Sequence, residues 1–177
     1  MRLFLAVAAD SEVMAAAAGV VGRLRRAPGD YRWVDPRDTH VTLRFIGETP
    51  EDTLPEFEQL MRETAGKTTP FEIAFGCVDA FESIDDPRVV WIGIERGLEP
   101  LQALAERLGR DESRPFTPHL TLGRRRRATD PAAFARALRE ESTLGLRRPV
   151  SKISLYASRP ASFGHTYEIL SEAALGG

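Results

Sequence analysis

The sequence is poor in cysteine, in histidine and in long apolar runs. Among its 177 residues Cys77 is the only cysteine, so no disulfide can form within the chain, and we expect a reducing, cytoplasmic compartment. Three histidines and one cysteine argue against a structural zinc site. No apolar run approaches the roughly 18 residues that a membrane-spanning helix needs, so we expect no membrane partner.

A short apolar segment at the N-terminus resembles the hydrophobic part of a signal peptide. It extends from Leu3 to Ala9, which is the minimum length for such a segment, and Asp10 and Glu12 follow it directly. We therefore interpret this segment as a buried strand.

The composition is that of a folded globular protein, with 42% hydrophobic and 28% charged residues, and it is long enough for one large domain. The net charge is only -2, but it is unevenly distributed. Residues 48–112 carry 16 acidic and 6 basic side chains, whereas residues 114–159 carry 3 acidic and 11 basic ones. This asymmetry suggests that one surface binds an anion, although 22 of the 24 basic residues are arginine and codon bias remains an alternative.

Hydrophobic periodicity and turn residues predict the same order of elements twice, strand-helix-strand-helix-strand. In the first half the predicted strands are 2–8, 40–46 and 71–75, and the helices are 11–24 and 50–64. In the second half the predicted strands are 89–94, 118–122 and 150–157, and the helices are 98–108 and 131–140. A last strand is predicted at 166–170.

A four-residue motif repeats within this order. His40-Val41-Thr42-Leu43 and His119-Leu120-Thr121-Leu122 lie 79 residues apart, one in each half. In a chain with 12 threonines and 18 leucines, two of three histidines would share this frame by chance roughly once in 10⁴ cases. An internal duplication is the better explanation.

The motif places an imidazole and a hydroxyl on one face of a strand, because side chains at i and i+2 point the same way. The intervening Val41 and Leu120 point to the opposite face, into apolar packing. If the two halves face each other, two imidazoles and two hydroxyls meet in one cleft. Imidazoles can then act as base and acid near neutral pH, and the hydroxyls can hold the oxygens of an anion.

A phosphodiester suits this arrangement, because its hydrolysis needs a proton acceptor, a proton donor and stabilisation of charged oxygens. Arg124 follows His119 by five residues and could supply the last of these. No carboxylate cluster accompanies the histidines, which disfavours a two-metal phosphodiesterase. The other arginines of the run, Arg125 to Arg127, are typical of a solvated loop, and their contact with an RNA backbone stays open.

Two further residues receive structural interpretations. His165 lacks the repeated frame, so we expect a surface or structural role. Cys77 lies among Ala74, Phe75 and Val78 and is expected to be a buried small hydrophobe.

The motifs resemble those of the 2H phosphoesterase superfamily, and within it the RNA 2′,3′-cyclic phosphodiesterases, also called 2′-5′ RNA ligases. The resemblance extends over most of the chain and rests on four stretches. These are residues 2–6, 40–48, 87–91 and 116–124.

The resemblance implies a single domain over residues 1–177 with an α+β fold. This fold would be bilobal and duplicated, with two antiparallel sheets flanking a central cleft and helices outside. It also implies opening of a 2′,3′-cyclic phosphate, on RNA ends or nucleotides, to a 2′-phosphate without metal or cofactor. We expect the protein to act as a monomer.

The resemblance also assigns roles to residues of this chain. His119 would be the general base that activates water, and His40 the general acid that protonates the leaving 3′ oxygen. The residues that would bind the substrate are Thr42, Thr121, Arg124, Phe4 and Arg2. Two alternatives stay open, namely 2′-5′ RNA ligase activity at the same site and a non-catalytic RNA-binding module.

Overall fold

The computed structural model describes residues 1–113, 115–127, 130–161 and 164–176. The helices are α1 (Ser11–Leu24), α2 (Leu54–Gly66), α3 (Leu98–Arg107) and α4 (Ala132–Glu140). The first strands are β1 (Arg2–Ala8), β2 (Tyr31–Trp33), β3 (His40–Glu48), β4 (Phe71–Glu82) and β5 (Pro87–Arg96). The remaining strands are β6 (His119–Arg125), β7 (Leu146–Val150), β8 (Lys152–Ala161) and β9 (Gly164–Ala174).

The strands form one antiparallel sheet in the order β7-β4-β5-β6-β3-β1-β8-β9, and β2 pairs with β6 off this path. The mixed α and β composition with antiparallel pairing agrees with the expectation, but the expectation of two separate sheets is wrong. The sheet is continuous because β3 and β6, the strands that carry the repeated motif, are neighbours and pair where Val41 lies opposite Leu120.

The two halves of the chain that the sequence predicts exchange their third strands. The third strand of the first half, β4, pairs with β5, which opens the second half. The third strand of the second half, β8, pairs with β1, which opens the first half. Each half therefore completes its part of the sheet with a strand from the other half, and this ties the halves together.

The helices cover the face of the sheet opposite to the motif histidines. α1 begins after Asp10, whose carboxylate accepts hydrogen bonds from the backbone N–H groups of Glu12 and Val13 at 3.1 and 3.0 Å. Buried side chains of α1, α2, α3 and α4 share one apolar core with Val41 and Leu120. The alternation of β3 and β6 thus fixes an apolar face toward the helices and leaves the other face for the imidazoles and hydroxyls. No helix in the described ranges is long and apolar enough to cross a membrane.

Several elements differ from the sequence-based expectation. The second helix starts later, because a 3₁₀ turn at Glu51–Thr53 precedes α2. β2 and β7 were not predicted, since each is short and β7 contains Pro149, which an edge strand tolerates. Cys77 is exposed rather than buried, because an irregularity in the pairing of β4 between Phe75 and Val78 disturbs the inward-outward alternation there.

Candidate active site

A cleft of about 520 Å³ lies on the face of β3 and β6 opposite to the core, in the size range of small-ligand sites. The site residues that the sequence predicts all line it: His40, His119, Thr42, Thr121, Arg124, Phe4 and Arg2. The fold therefore brings the two distant motifs and the start of the first strand to one place.

The two motifs meet at the seam between β3 and β6. Continuing the antiparallel register by one residue on either side of the Val41–Leu120 pair brings His40 toward Thr121 and Thr42 toward His119. Each imidazole thus has the hydroxyl of the other motif beside it. Within the described residues, neither threonine hydroxyl has a protein hydrogen-bond partner, so both can bind a ligand.

Both imidazoles are held in the same way. His40 Nδ1 lies 2.8 Å from the carbonyl oxygen of Asp38, and His119 Nδ1 lies 2.7 Å from that of Thr117. A carbonyl oxygen can only accept, so Nδ1 carries the hydrogen in each ring. Nε2 is then the nitrogen of each histidine that can exchange a proton with a ligand in the cleft.

Aromatic rings enclose His40. Its ring centroid lies 4.7 Å from that of Phe4, 5.5 Å from Tyr156 and 5.1 Å from Tyr167. Phe4 is only 3% exposed and stacks on Tyr156, with the ring planes 1° apart. Phe4 therefore supports the imidazole and offers little surface to a ligand.

His119 has its own aromatic partners, which come from β4 and β5. Its ring centroid lies 4.9 Å from Phe81, in an edge-on arrangement, and 5.8 Å from Trp91. Packing of this kind fixes the orientation of the ring about its hydrogen bond to Thr117.

Burial changes the protonation of both histidines. It lowers the pKa of His40 from 6.5 to about 4, against the opposing effect of the Asp38 carbonyl, and the nearby His119 lowers it further. Burial also lowers the pKa of His119, the Thr117 carbonyl opposes this, and the positive charge of Arg124 adds to the lowering. At neutral pH the free cleft therefore holds two neutral imidazoles.

Arginines give the cleft its positive charge. Arg2, Arg32 and Arg124 line it, and none of the three makes an ion pair within the described ranges. The neighbouring Arg125, by contrast, is held by Asp86 at 2.7 Å. Arg124 is therefore the member of its run that is placed to bind an anion in the cleft.

Sequence reasoning missed several residues of the cleft. Phe45 is 72% exposed and follows His40 by five residues, the position that Arg124 holds after His119, and this equivalence was readable from the motifs. Phe81 and Tyr167 come from strands whose place in the sheet the sequence does not show. The other missed residues that line the cleft are Leu3, Arg32, Val34, Asp38, Thr39, Val89 and Ser158. His165 is exposed, lines the rim of the cleft, and has its Nδ1 at 3.1 Å from the hydroxyl of Ser158.

Comparison with known proteins shows the family of this chain. Residues 12–160 match the family model of the 2′-5′ RNA ligase superfamily. The chain is 34% identical over 191 aligned positions to the RNA 2′,3′-cyclic phosphodiesterase of Thermus thermophilus, covering all of this chain and 91% of that protein. It is 31% identical over 156 positions to the protein of the same name from Aquifex aeolicus, covering 82% of each.

Solved structures share the fold. The crystal structure of TT0787 of Thermus thermophilus superimposes with a TM-score of 0.80 at 30% identity and covers 100% of this chain and 99% of that one. Escherichia coli LigT in complex with 3′-AMP gives a TM-score of 0.74 at 26% identity, with 99% and 98% coverage. Together with the family match over most of the sequence, these relationships show that the chain belongs to the 2′-5′ RNA ligase superfamily.

Proposed function

We propose that this protein hydrolyses 2′,3′-cyclic phosphates on RNA ends to 2′-phosphates, using His119 as general base and His40 as general acid. The observation that carries the proposal is the pairing of β3 and β6. It sets two imidazoles of the same tautomer in one cleft, each beside the hydroxyl of the other motif. The names of the relatives support this choice of substrate.

The proposed reaction transfers one proton at each histidine. A water molecule attacks the phosphorus and gives its proton to Nε2 of His119. The bond between phosphorus and the 3′ oxygen breaks, and that oxygen takes the proton from Nε2 of His40. The products are a 2′-phosphate and a 3′-hydroxyl. Exchange with solvent then restores the starting protonation of both rings.

We propose that the bound substrate favours the protonated form of His40 that a general acid needs. With a pKa of about 4, His40 is neutral in the free protein at neutral pH and cannot donate a proton from Nε2. A bound phosphate anion favours the imidazolium form and opposes the effect of burial. Arg124 acts on His119 in the other direction and favours the neutral form that a base needs. The two charges therefore separate the roles of two otherwise equivalent histidines.

Thr42, Thr121 and Arg124 are proposed to hold the phosphate oxygens. The two hydroxyls lie on the same face as the imidazoles, and the guanidinium of Arg124 has no carboxylate partner among the described residues. A guanidinium can donate two parallel hydrogen bonds to a phosphate, which suits the charge that develops in the transition state.

The nucleoside is proposed to lie against the part of the cleft that β1 and β3 form. Phe45 presents an exposed ring there, 6.2 Å from the ring of Phe4, and base stacking on an aromatic side chain contributes roughly 1–3 kcal/mol. Phe4 keeps a supporting role under His40, because its ring is buried. Arg2 lines the same side and can contact the sugar-phosphate backbone.

The proposal needs no metal ion. Within the described residues, no group of three or more histidine, cysteine, aspartate or glutamate side chains is arranged to bind one. The charge that a metal would supply in a two-metal phosphodiesterase is assigned here to Arg124 and the protonated His40.

Ligation is the second candidate, and the same arrangement favours it. If the hydroxyl of a second RNA replaces water, the base and acid act unchanged and a 2′-5′ bond forms.

The binding-module alternative differs from both reactions because it predicts no turnover. The test incubates the protein with adenosine 2′,3′-cyclic phosphate in excess EDTA and separates the products by chromatography. We expect the cyclic phosphate to be hydrolysed. No turnover with or without added Mg²⁺, Mn²⁺ or Zn²⁺ would support the binding module, and turnover only with a metal would refute the metal-free mechanism.

A further inference from the structure

Arg32 lies directly opposite Arg124 on neighbouring strands. The short strand β2 pairs with β6, and these two arginines are register partners. Directly opposed side chains have Cβ atoms roughly 4.5–5.5 Å apart, and like charges in that position destabilise a sheet. Neither guanidinium has an ion-pair partner in the described part of the chain. A bound polyanion would relieve this repulsion.

A side cavity of about 190 Å³ extends the cleft at this position. Its walls include Arg32, Trp33, Asp38, Arg124 and Tyr167, and all of these except Trp33 also line the main cleft. The side cavity is therefore continuous with the site of the proposed reaction. Tyr167 adds an aromatic ring to the two guanidinium groups, while the ring of Trp33 packs on Tyr31 and Phe134. Guanidinium groups beside an aromatic ring are a combination that binds single-stranded nucleic acid.

The carboxylates near the side cavity do not cancel its positive charge. Asp35 is bound by Arg37 at 2.8 Å, so that its charge is already compensated. Asp38 is half-buried, and burial raises its pKa. Among the described residues that line the side cavity, two guanidinium groups thus face one carboxylate, that of Asp38, without a salt bridge of its own.

The side cavity leads away from the motif histidines. Arg32 and Arg124 line both cavities, whereas neither His40 nor His119 is among the described residues that line the side cavity. One phosphate can therefore bind to Arg124 beside the imidazoles. A second phosphate can bind to Arg32 where the side cavity opens.

We infer that Arg32 binds the phosphodiester on the 5′ side of the terminal nucleotide, and that the side cavity receives the preceding nucleoside. This inference rests on the proposed function. It makes an RNA chain end, rather than a free cyclic mononucleotide, the preferred substrate. The selectivity arises because only a chain of two or more nucleotides can place one phosphate at Arg124 and another at Arg32.

The test compares adenosine 2′,3′-cyclic phosphate with a dinucleotide that ends in the same cyclic phosphate. For Arg32→Ala we expect kcat/KM on the dinucleotide to fall roughly ten- to hundredfold, the range of a lost charged hydrogen bond. Activity on the mononucleotide should fall by a clearly smaller factor than activity on the dinucleotide, and the activity that remains shows that the variant is folded. Arg136→Ala removes an exposed arginine of α4 that lines neither cavity, and it should behave like the wild type on both substrates.

Salt gives a second measurement. The slope of log kcat/KM for the dinucleotide against log salt should become shallower by about 0.7 in Arg32→Ala, as one fewer phosphate contact predicts for a single strand. Equal losses on both substrates would place Arg32 at the reacting phosphate and overturn the inference. Unchanged activity on the dinucleotide would overturn it as well. A wild-type protein inactive on both substrates would instead overturn the proposed function, and the inference with it.

Discussion

Val41 and Leu120 lie opposite each other on adjacent antiparallel strands, and this one pairing joins the two halves of the sheet. Both side chains point into the core, so the residues before and after them point into the cleft. The distance between the two histidines is thereby set by the spacing of neighbouring strands and not by a loop. A rigid sheet is a good support for two groups that must act on one phosphate.

Replacing either histidine should abolish most of the activity. We expect His40→Ala and His119→Ala each to lose on the order of 10²- to 10⁴-fold in kcat, the usual contribution of a positioned acid or base. The double variant should lose much less than the product of the two losses, because the two residues act as a unit. Near-normal turnover by either single variant would refute the paired mechanism.

A change of leaving group separates the acid from the base. In a cyclic phosphate with sulfur in place of the bridging 3′ oxygen, the leaving thiolate needs no proton. His40→Ala should therefore recover much of its lost activity on this substrate, whereas His119→Ala should not. Recovery by His119→Ala instead would mean that the two roles are exchanged.

The pH dependence should differ between free protein and complex. One histidine must be protonated and the other neutral, so both profiles should be bell-shaped, with limbs that belong to the pair. The profile of kcat/KM reports the free protein, where burial lowers both pKa values. The bound anion raises them, so the limbs of the kcat profile should lie at higher pH. A steady rise with pH in both profiles would contradict an acid role for His40.

The buried His40 should also make stability depend on pH. Its pKa is about 4 in the folded state against 6.5 for an unperturbed histidine, so between these values the unfolded chain binds the extra proton. The associated stability is fully present above about pH 6.5 and is lost as the pH falls toward about 4, by on the order of 3 kcal/mol.

Urea unfolding of the wild type and His40→Asn at pH 7 and at pH 4.5 measures this effect. The wild type should lose more free energy of unfolding than the variant over this interval. His119 and the carboxylates are present in both proteins, so their contributions largely cancel in the comparison. Equal losses in the two proteins would show that His40 is not buried in its neutral form.

The residues of the two motifs could be predicted from sequence because strand alternation is local. An imidazole and a hydroxyl two residues apart on a strand share one face, and this does not depend on how the strand pairs with the rest of the chain. Arg32 could not be found in this way, since β2 has three residues and its partner strand lies about 90 residues further along. Phe81 was missed because the sequence predicts its strand only over 71–75, whereas β4 extends to Glu82 and forms a hairpin with β5, the strand that pairs with β6.

The exposed Cys77 shows a second limit of such reasoning. Its neighbours in sequence are apolar and predict burial, but the alternation on which that prediction depends is interrupted at the irregular pairing of β4. The continuity of the sheet could not be predicted from the side-chain pattern either. It depends on one backbone pairing between two motif strands, and side-chain pattern alone does not reveal that pairing.

The identity of the product tests the central claim most directly. Adenosine 2′,3′-cyclic phosphate incubated with the protein in EDTA should give adenosine 2′-phosphate, which phosphorus NMR distinguishes from the 3′-phosphate. A preparation of the double variant His40→Ala/His119→Ala, purified in the same way, should give almost none. Formation of the 3′-phosphate, or the same product yield from the double variant, would contradict the account.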